Sequence, residues 1–225
     1  MKASVLAGRL STMLHDTNRV RWTEAMLLGF ISDAQRALVG IRPDTNPIIA
    51  DITLVQGQTV QQIPANGGQL LDVLCNVVDG VAGESVTLTT KDALDTTNRS
   101  WHSADPVTVV YNFAYDEDVP QHFFVTPPPP AGLGLRIKYS KIPDEVTSLD
   151  DDLEVSDIHM PTLYMYCMFL ALSLNIDSAL DRTVDAQKFL ASFLLSAGQV
   201  AQATALLSPN NTNINASVTI PQQGQ

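Results

Sequence analysis

The sequence predicts an α+β protein: a helical bundle made from the N-terminal and C-terminal helices, an inserted antiparallel β-sheet or sandwich domain, and an extended C-terminal tail. Three observations predict it. Apolar residues recur at three- and four-residue spacing at both ends of the chain, the period of helices with a buried face. Between those ends, short β-branched or alternating runs are divided by Gly and Pro, as strands are by turns. The last stretch has no charged side chain and few large apolar ones, too little buried surface to offset the entropy of ordering. The parts are 1–45, N-terminal helices; 46–143, the inserted β domain; 144–208, an acidic linker and C-terminal helices; and 209–225, the tail.

Ala3 to Leu14 puts Val5, Leu6, Leu10, Met13 and Leu14 on one helical face. After the Asp16-Thr17-Asn18 break, Thr23 suits an N-cap, Glu24 falls in the positive first turn, and Trp22 can staple onto Leu27. Leu27, Phe30, Ile31, Ala34 and Leu38 then trace an amphipathic helix that Gly40 and Pro43 end.

Strand-like runs follow at Ile49 to Val55, Thr59 to Ile63, Leu70 to Val78, Ser85 to Thr89, Val107 to Tyr115, Phe123 to Thr126 and Leu133 to Tyr139. They give six or seven short strands. The prolines Pro127, Pro128, Pro129 and Pro130 cannot donate ladder hydrogen bonds, so they form an extended loop at a sheet end.

Asp144 to Asp157 is a linker rich in Asp and Glu. Pro161 fits the first turn of a helix running to about Leu174, apolar nearly all round and therefore expected to be central and buried. Asn175 to Ser178 turns the chain. Leu180, Val184, Phe189, Leu190, Phe193, Leu194, Ala197, Val200 and Ala201 then follow a long helix that Pro209 stops. In the tail, Ile214, Val218 and Ile220 are the sizeable apolar residues. Val218 and Ile220 share a strand face, so the tail either adds to another sheet edge or groove or frays at the terminus.

The 225 residues carry 13 basic and 24 acidic side chains, a net charge of −11, with 45% hydrophobic residues and a mean hydropathy of +0.07. That composition belongs to a folded globular chain. No apolar run reaches the roughly 18–20 residues of a membrane span, so no membrane partner is expected. The acidic balance has the wrong sign for a sequence-general nucleic-acid binder. Cys75 and Cys167 sit in apolar surroundings and read as free thiols rather than a disulfide.

Chemistry is sparse. The chain has no phosphate-binding glycine loop, no nucleophile elbow and no zinc-spaced Cys or His set. His15, His102, His122 and His159 are scattered. The clusters Asp116-Glu117-Asp118 and Asp150-Asp151-Asp152 lack calcium-loop spacing. We expect no catalytic residue, no metal and no cofactor.

The run Asp16-x-x-Arg19-Val20-Arg21-Trp22-x-Glu24, then Phe30-Ile31-x-Asp33-Ala34-Gln35-Arg36 and Arg42-Pro43-Asp44, resembles the phage adaptor (head-to-tail connector) family of short-tailed bacteriophages. The resemblance continues through Gln61-Gln62-Ile63-Pro64, Leu70-Leu71-Asp72-Val73 with Asn76, Leu94-Asp95 with Trp101, Ile137-x-Tyr139-Ser140 with Pro143, and the closing helices. It covers about 16–200 and implies a non-enzymatic virion protein of the neck, assembled in the host cytoplasm. Such a protein would form a homo-oligomeric ring of about twelve copies between the portal protein and the tail nozzle or tail fibre proteins. The ring would seal the head and pass DNA as cargo without specific binding. Under that resemblance Trp22, Asp33 and Arg36 are structural signature residues, with Asp33 and Arg36 able to meet at i,i+3. Asp150, Asp151 and Asp152 are candidate lumen acids that discourage DNA from adhering. Pro127 to Pro130 form a tail-facing loop, and Ile214, Val218 and Ile220 reach the portal or a neighbour.

The alternative is a receptor- or carbohydrate-binding tail protein. It would need exposed aromatics, for which Trp101, Tyr111 and Tyr115 are the candidates.

Overall fold

Helix α1 (Ala3–Met13) and helix α2 (Glu24–Ile41) form where the apolar period puts them. The computed structural model describes residues 1–174 and 183–207. The buried stripe of α1 is Ala3, Leu6, Ala7 and Leu10, whereas Val5 and Met13, expected on the inner face, are exposed.

The loop from α1 to α2 is organised by one carboxylate. Asp16 accepts hydrogen bonds from the backbone N–H groups of Val20, Arg21 and Trp22 at 2.9, 2.8 and 2.7 Å. Thr23 caps α2 by accepting from the Met26 N–H, and Arg19 pairs with Glu24 at 2.8 Å. Trp22 is buried in the cluster that holds Leu27, and its ring meets Phe30 edge-on at 6.2 Å between centroids.

Eight strands follow: β1 (Pro47–Thr53), β2 (Val60–Gln62), β3 (Gly67–Val78), β4 (Val81–Ser85), β5 (Thr87–Thr89), β6 (Asn112–Tyr115), β7 (His122–Thr126) and β8 (Gly134–Lys141). They form two four-stranded sheets, ordered β1-β8-β3-β4 and β2-β7-β6-β5. The expected Ser85–Thr89 strand is thus divided between sheets. All pairs are antiparallel except β5 with β6, so the second sheet is mixed rather than purely antiparallel. A long crossover between β5 and β6 makes the parallel pairing possible. It contains α3 (Lys91–Thr97), a short helix with no buried residue and hence no apolar period to announce it.

The β3–β4 turn is Asp79-Gly80, with φ of 50° and 77°, the positive pair a two-residue hairpin turn needs. Leu70, Val73 and Ile137 of the first sheet share one apolar cluster with Phe113, Phe123 and Val125 of the second. Asn76 is buried within the strands. It donates to the Glu84 and Val110 carbonyls at 3.1 and 2.8 Å and accepts from the Val110 N–H at 2.8 Å, tying β3 to the approach to β6.

The second apolar cluster belongs to the chain's two ends. Leu6, Leu10, Leu27, Ile31 and Leu38 meet Leu163, Cys167 and Met168 of α4 (Met160–Ser173) and Phe193 and Ala197 of α5 (Thr183–Leu207). Helix α4 is not buried all round as expected. Thr162, Leu163, Cys167, Met168 and Ala171 are inside, while Tyr164, Met165, Tyr166, Phe169 and Leu170 are half-exposed, because α1, α2 and α5 cover only part of its circumference. The turn expected at Asn175 to Ser178, Leu180 and the tail with Ile214, Val218 and Ile220 lie outside the described residues.

Candidate functional site

Helix α2 carries polar side chains on its inner stripe, and each has a task. Ser32 and Gln35 are buried. The Ser32 hydroxyl donates to the Leu28 carbonyl and accepts from the Val146 N–H, both at 2.9 Å. The Gln35 side-chain oxygen accepts from the Glu154 and Val155 N–H groups. Arg36 donates from Nε to the Pro143 carbonyl at 3.3 Å. The acidic stretch 144–157 is therefore a strap fixed along α2 rather than a solvated linker, with Val146, Leu153 and Val155 buried in the helical cluster. Its apolar residues alternate with the acids, so its charge masks its packing.

The strap also gathers the two places where the chain passes between helices and strands. Glu154 accepts from Lys141 Nζ at 2.7 Å, from the Asp144 N–H at 3.1 Å and from Asn46 Nδ2 at 3.0 Å. Lys141 Nζ reaches Asp144 as well, at 2.8 Å. Hydrogen bonds to Asp144 and then Glu154 push the Lys141 ammonium above its ordinary range, and Lys141 in turn holds the Asp144 carboxyl down. Both crossings, at Asn46 and at Lys141–Asp144, are clamped by one carboxylate. Sequence reasoning missed this node. The signal for it was the pair of polar residues, Ser32 and Gln35, on the buried face of α2.

The candidate lumen acids differ from one another. The Asp151 carboxylate is turned into its own loop, accepting from the Thr147 and Ser148 N–H groups at 2.8 and 2.9 Å, and these bonds lower its pKa. Asp152 lies beside the first residues, 3.6 Å from Lys2 Nζ. Asp150 is exposed, and its backbone carbonyl, not its carboxylate, takes the Lys2 ammonium. Backbone bonds from Ala3 to Asp151 and from Leu153 to Met1 seat the strap against the start of α1.

Of the signature residues, Trp22 is a core residue of the α1–α2 junction. Asp33 and Arg36 are both exposed, and the Arg36 guanidinium turns to the Pro143 carbonyl rather than to Asp33. The expected i,i+3 contact is lost because Arg36 reaches to Pro143 instead. The proline run lies at a sheet end, between β7 and β8, as expected. Within it Pro128 and Pro129 are buried, and the Pro129 carbonyl accepts from the Gly57 N–H at 2.9 Å.

Of the aromatics that a glycan-binding surface would need, Trp101 is 2% exposed. It stacks on His102 at 3.6 Å and donates from Nε1 to Asp95 at 2.8 Å. Tyr115 is half-buried, and only Tyr111 of the three is exposed.

Two hollows lie beside the helices among the described residues. A groove of about 800 Å³ runs between the outer side of α1 and the start of α4, lined by Val5, Gly8, Thr12, Met13, Met160 and Tyr164. A cleft of about 410 Å³ lies where α2 meets the sheets, lined by Arg36, Val39, Pro43, Gln69, Ser140 and Pro143. Among the described residues, no three His, Cys, Asp or Glu side chains converge as metal ligands, and no helix is long and apolar enough to cross a membrane.

The family model described as SU10 adaptor protein matches residues 1–213. No curated protein matches the chain.

Proposed function

Because the chain belongs to the SU10 adaptor protein family, a family of phage adaptors, we propose that it works as a ring in the virion neck. The ring joins portal protein to tail nozzle or tail fibre proteins, seals the head, and leaves a channel through which DNA passes unbound. The reading is carried by the family match, which takes in α1, α2, both sheets, the strap, α4 and α5. The protein is structural and makes or breaks no bond.

The acidic balance supports the channel, since like charge keeps a polyanion from adhering to a wall. Asp150, Asp151 and Asp152 are the acids we assign to that wall, Asp150 with the freest carboxylate. Helices from 1–45 and 144–208 form the module that meets neighbouring copies and the portal. Residues 46–143, with the Pro127–Pro130 turn, face the tail. The tail residues Ile214, Val218 and Ile220 attach to the portal or a neighbour, and removing 210–225 should weaken attachment without unfolding the subunit. The burial of Trp101 removes support from the receptor-binding alternative.

The direct test is a phage that lacks this chain. Heads that lose their genome and fail to acquire tails are expected. Tailed particles that retain DNA would overturn the reading.

A further inference from the structure

The first sheet ends in two edges of unequal kind and opposite direction. Among the described residues, strand β1 is bonded only to β8, and β4 only to β3. No backbone group of either strand is bonded across the outer edge by another described residue. Every residue of β4 is exposed, and β1 is exposed at alternate positions. Large apolar side chains stand open at these edges: Ile49 on β1 is 58% exposed, and Val78 and Val81 at the hairpin are 52% and 70% exposed. An open, apolar edge is a template for another strand, and proteins that stay single blunt such edges with charge, proline or a covering loop. Here the proline of β1 stands at its first residue, Pro47, and its Asp51 is paired within the sheet to Arg136 at 2.7 Å, leaving the strand able to pair; Glu84 is the one charged residue of β4.

We infer that neighbouring copies join through this sheet, β4 of one copy pairing antiparallel with β1 of the next. The inference rests on the ring reading above and names its contact. Direction supports it. Strands alternate through β1-β8-β3-β4, so β4 runs opposite to β1. A second copy in the same orientation therefore presents its β1 antiparallel to β4, and the alternation continues unbroken from subunit to subunit. Symmetry supports it too. A contact between two different edges is heterologous and propagates around an axis until it closes, whereas β1 on β1 or β4 on β4 would stop at a pair. Main-chain bonds would supply the affinity, and Ile49 against the Val78–Val81 hairpin the apolar contact.

The test uses the full chain in assembled particles, with Cys75→Ser to remove the half-buried thiol next to β4 and Cys167 left in place in the core. Ile49→Cys and Ala82→Cys are introduced together or singly, and the particles are treated with a short bis-maleimide that tolerates a small slip in register. The double variant should give a ladder of covalent oligomers on a denaturing gel. Co-assembled single variants should give dimers only, and each single variant alone should give monomer. Particles whose rings are visible by electron microscopy but give no ladder would overturn the inference and leave the ring standing. Dimers from Ala82→Cys alone, or capture of a tail protein or of the chain's own 209–225 segment at β4, would also overturn it. Absence of any ring would remove both. As a second variant, Ile49→Lys at an exposed position should abolish ring formation while leaving the subunit's unfolding midpoint unchanged. Normal rings from that variant would count against the β1 edge.

Discussion

The side-chain oxygen of Gln35 accepts the N–H of Glu154 at 3.0 Å, across 119 positions of sequence, and that of Val155 at 3.3 Å. It fixes the register of the strap on α2. That register delivers the Glu154 carboxylate to Lys141 and Asn46, where helices and strands meet. One amide thus sets how the two apolar clusters are held together.

Replacing Gln35 with Ala should leave two N–H groups without an acceptor. At about 1–3 kcal/mol for each unsatisfied group, the expected loss of stability is about 2–6 kcal/mol in urea unfolding. A change within about 0.5 kcal/mol would show that the strap is held by its apolar residues alone.

Trp22→Ala should cost about 3–5 kcal/mol, the usual range for truncating a large buried aromatic. The indole is 3% exposed and packs on Phe30. Trp22→Phe should recover more than half of the loss in chemical denaturation. Equal losses for both variants would mean that the indole has a role other than filling space.

The acid limb of stability should depend on Asp16. Its carboxyl is held below its ordinary value of 3.8, chiefly by the hydrogen bond from the Trp22 N–H, against an opposing contribution from burial. A depressed value in the fold means that the carboxylate stabilises fully above the unfolded pKa, and loses that effect as pH falls through the lower, folded one. Thermal melts of Asp16→Asn should lie below those of the parent at neutral pH, start to approach them as pH falls below 3.8, and meet them only below the lower, folded value. A gap that stays constant through the acid range would contradict this.

The two thiols should separate cleanly. Cys167 is fully buried against the Phe30 carbonyl, and burial pushes its thiol far above the ordinary range, whereas Cys75 is half-buried on β3. A thiol reagent should label Cys75 in the folded chain and Cys167 only on unfolding. Simultaneous labelling would indicate that the helical cluster opens readily.

Both helical ends and most strands were legible because their buried faces impose a period on the sequence. Thr23, Leu27, Ile31, Ala34 and Leu38 announce α2 from its cap to its core stripe. Helix α3 was not legible, since it buries nothing. The strap misled because Val146, Leu153 and Val155 are few among acids, and their burial depends on Ser32 and Gln35 far away in sequence. Parallel β5–β6 pairing, the burial of Pro128 and Pro129, and the diversion of Arg36 to Pro143 are likewise settled by partners that no local pattern names.

A class average of the full chain bound to its portal, taken by electron microscopy down the particle axis, tests the adaptor reading most directly. A closed ring of many copies around an open channel, continuous with the portal, is the expected image. Single copies scattered on the portal, or a plug with no channel, would contradict it.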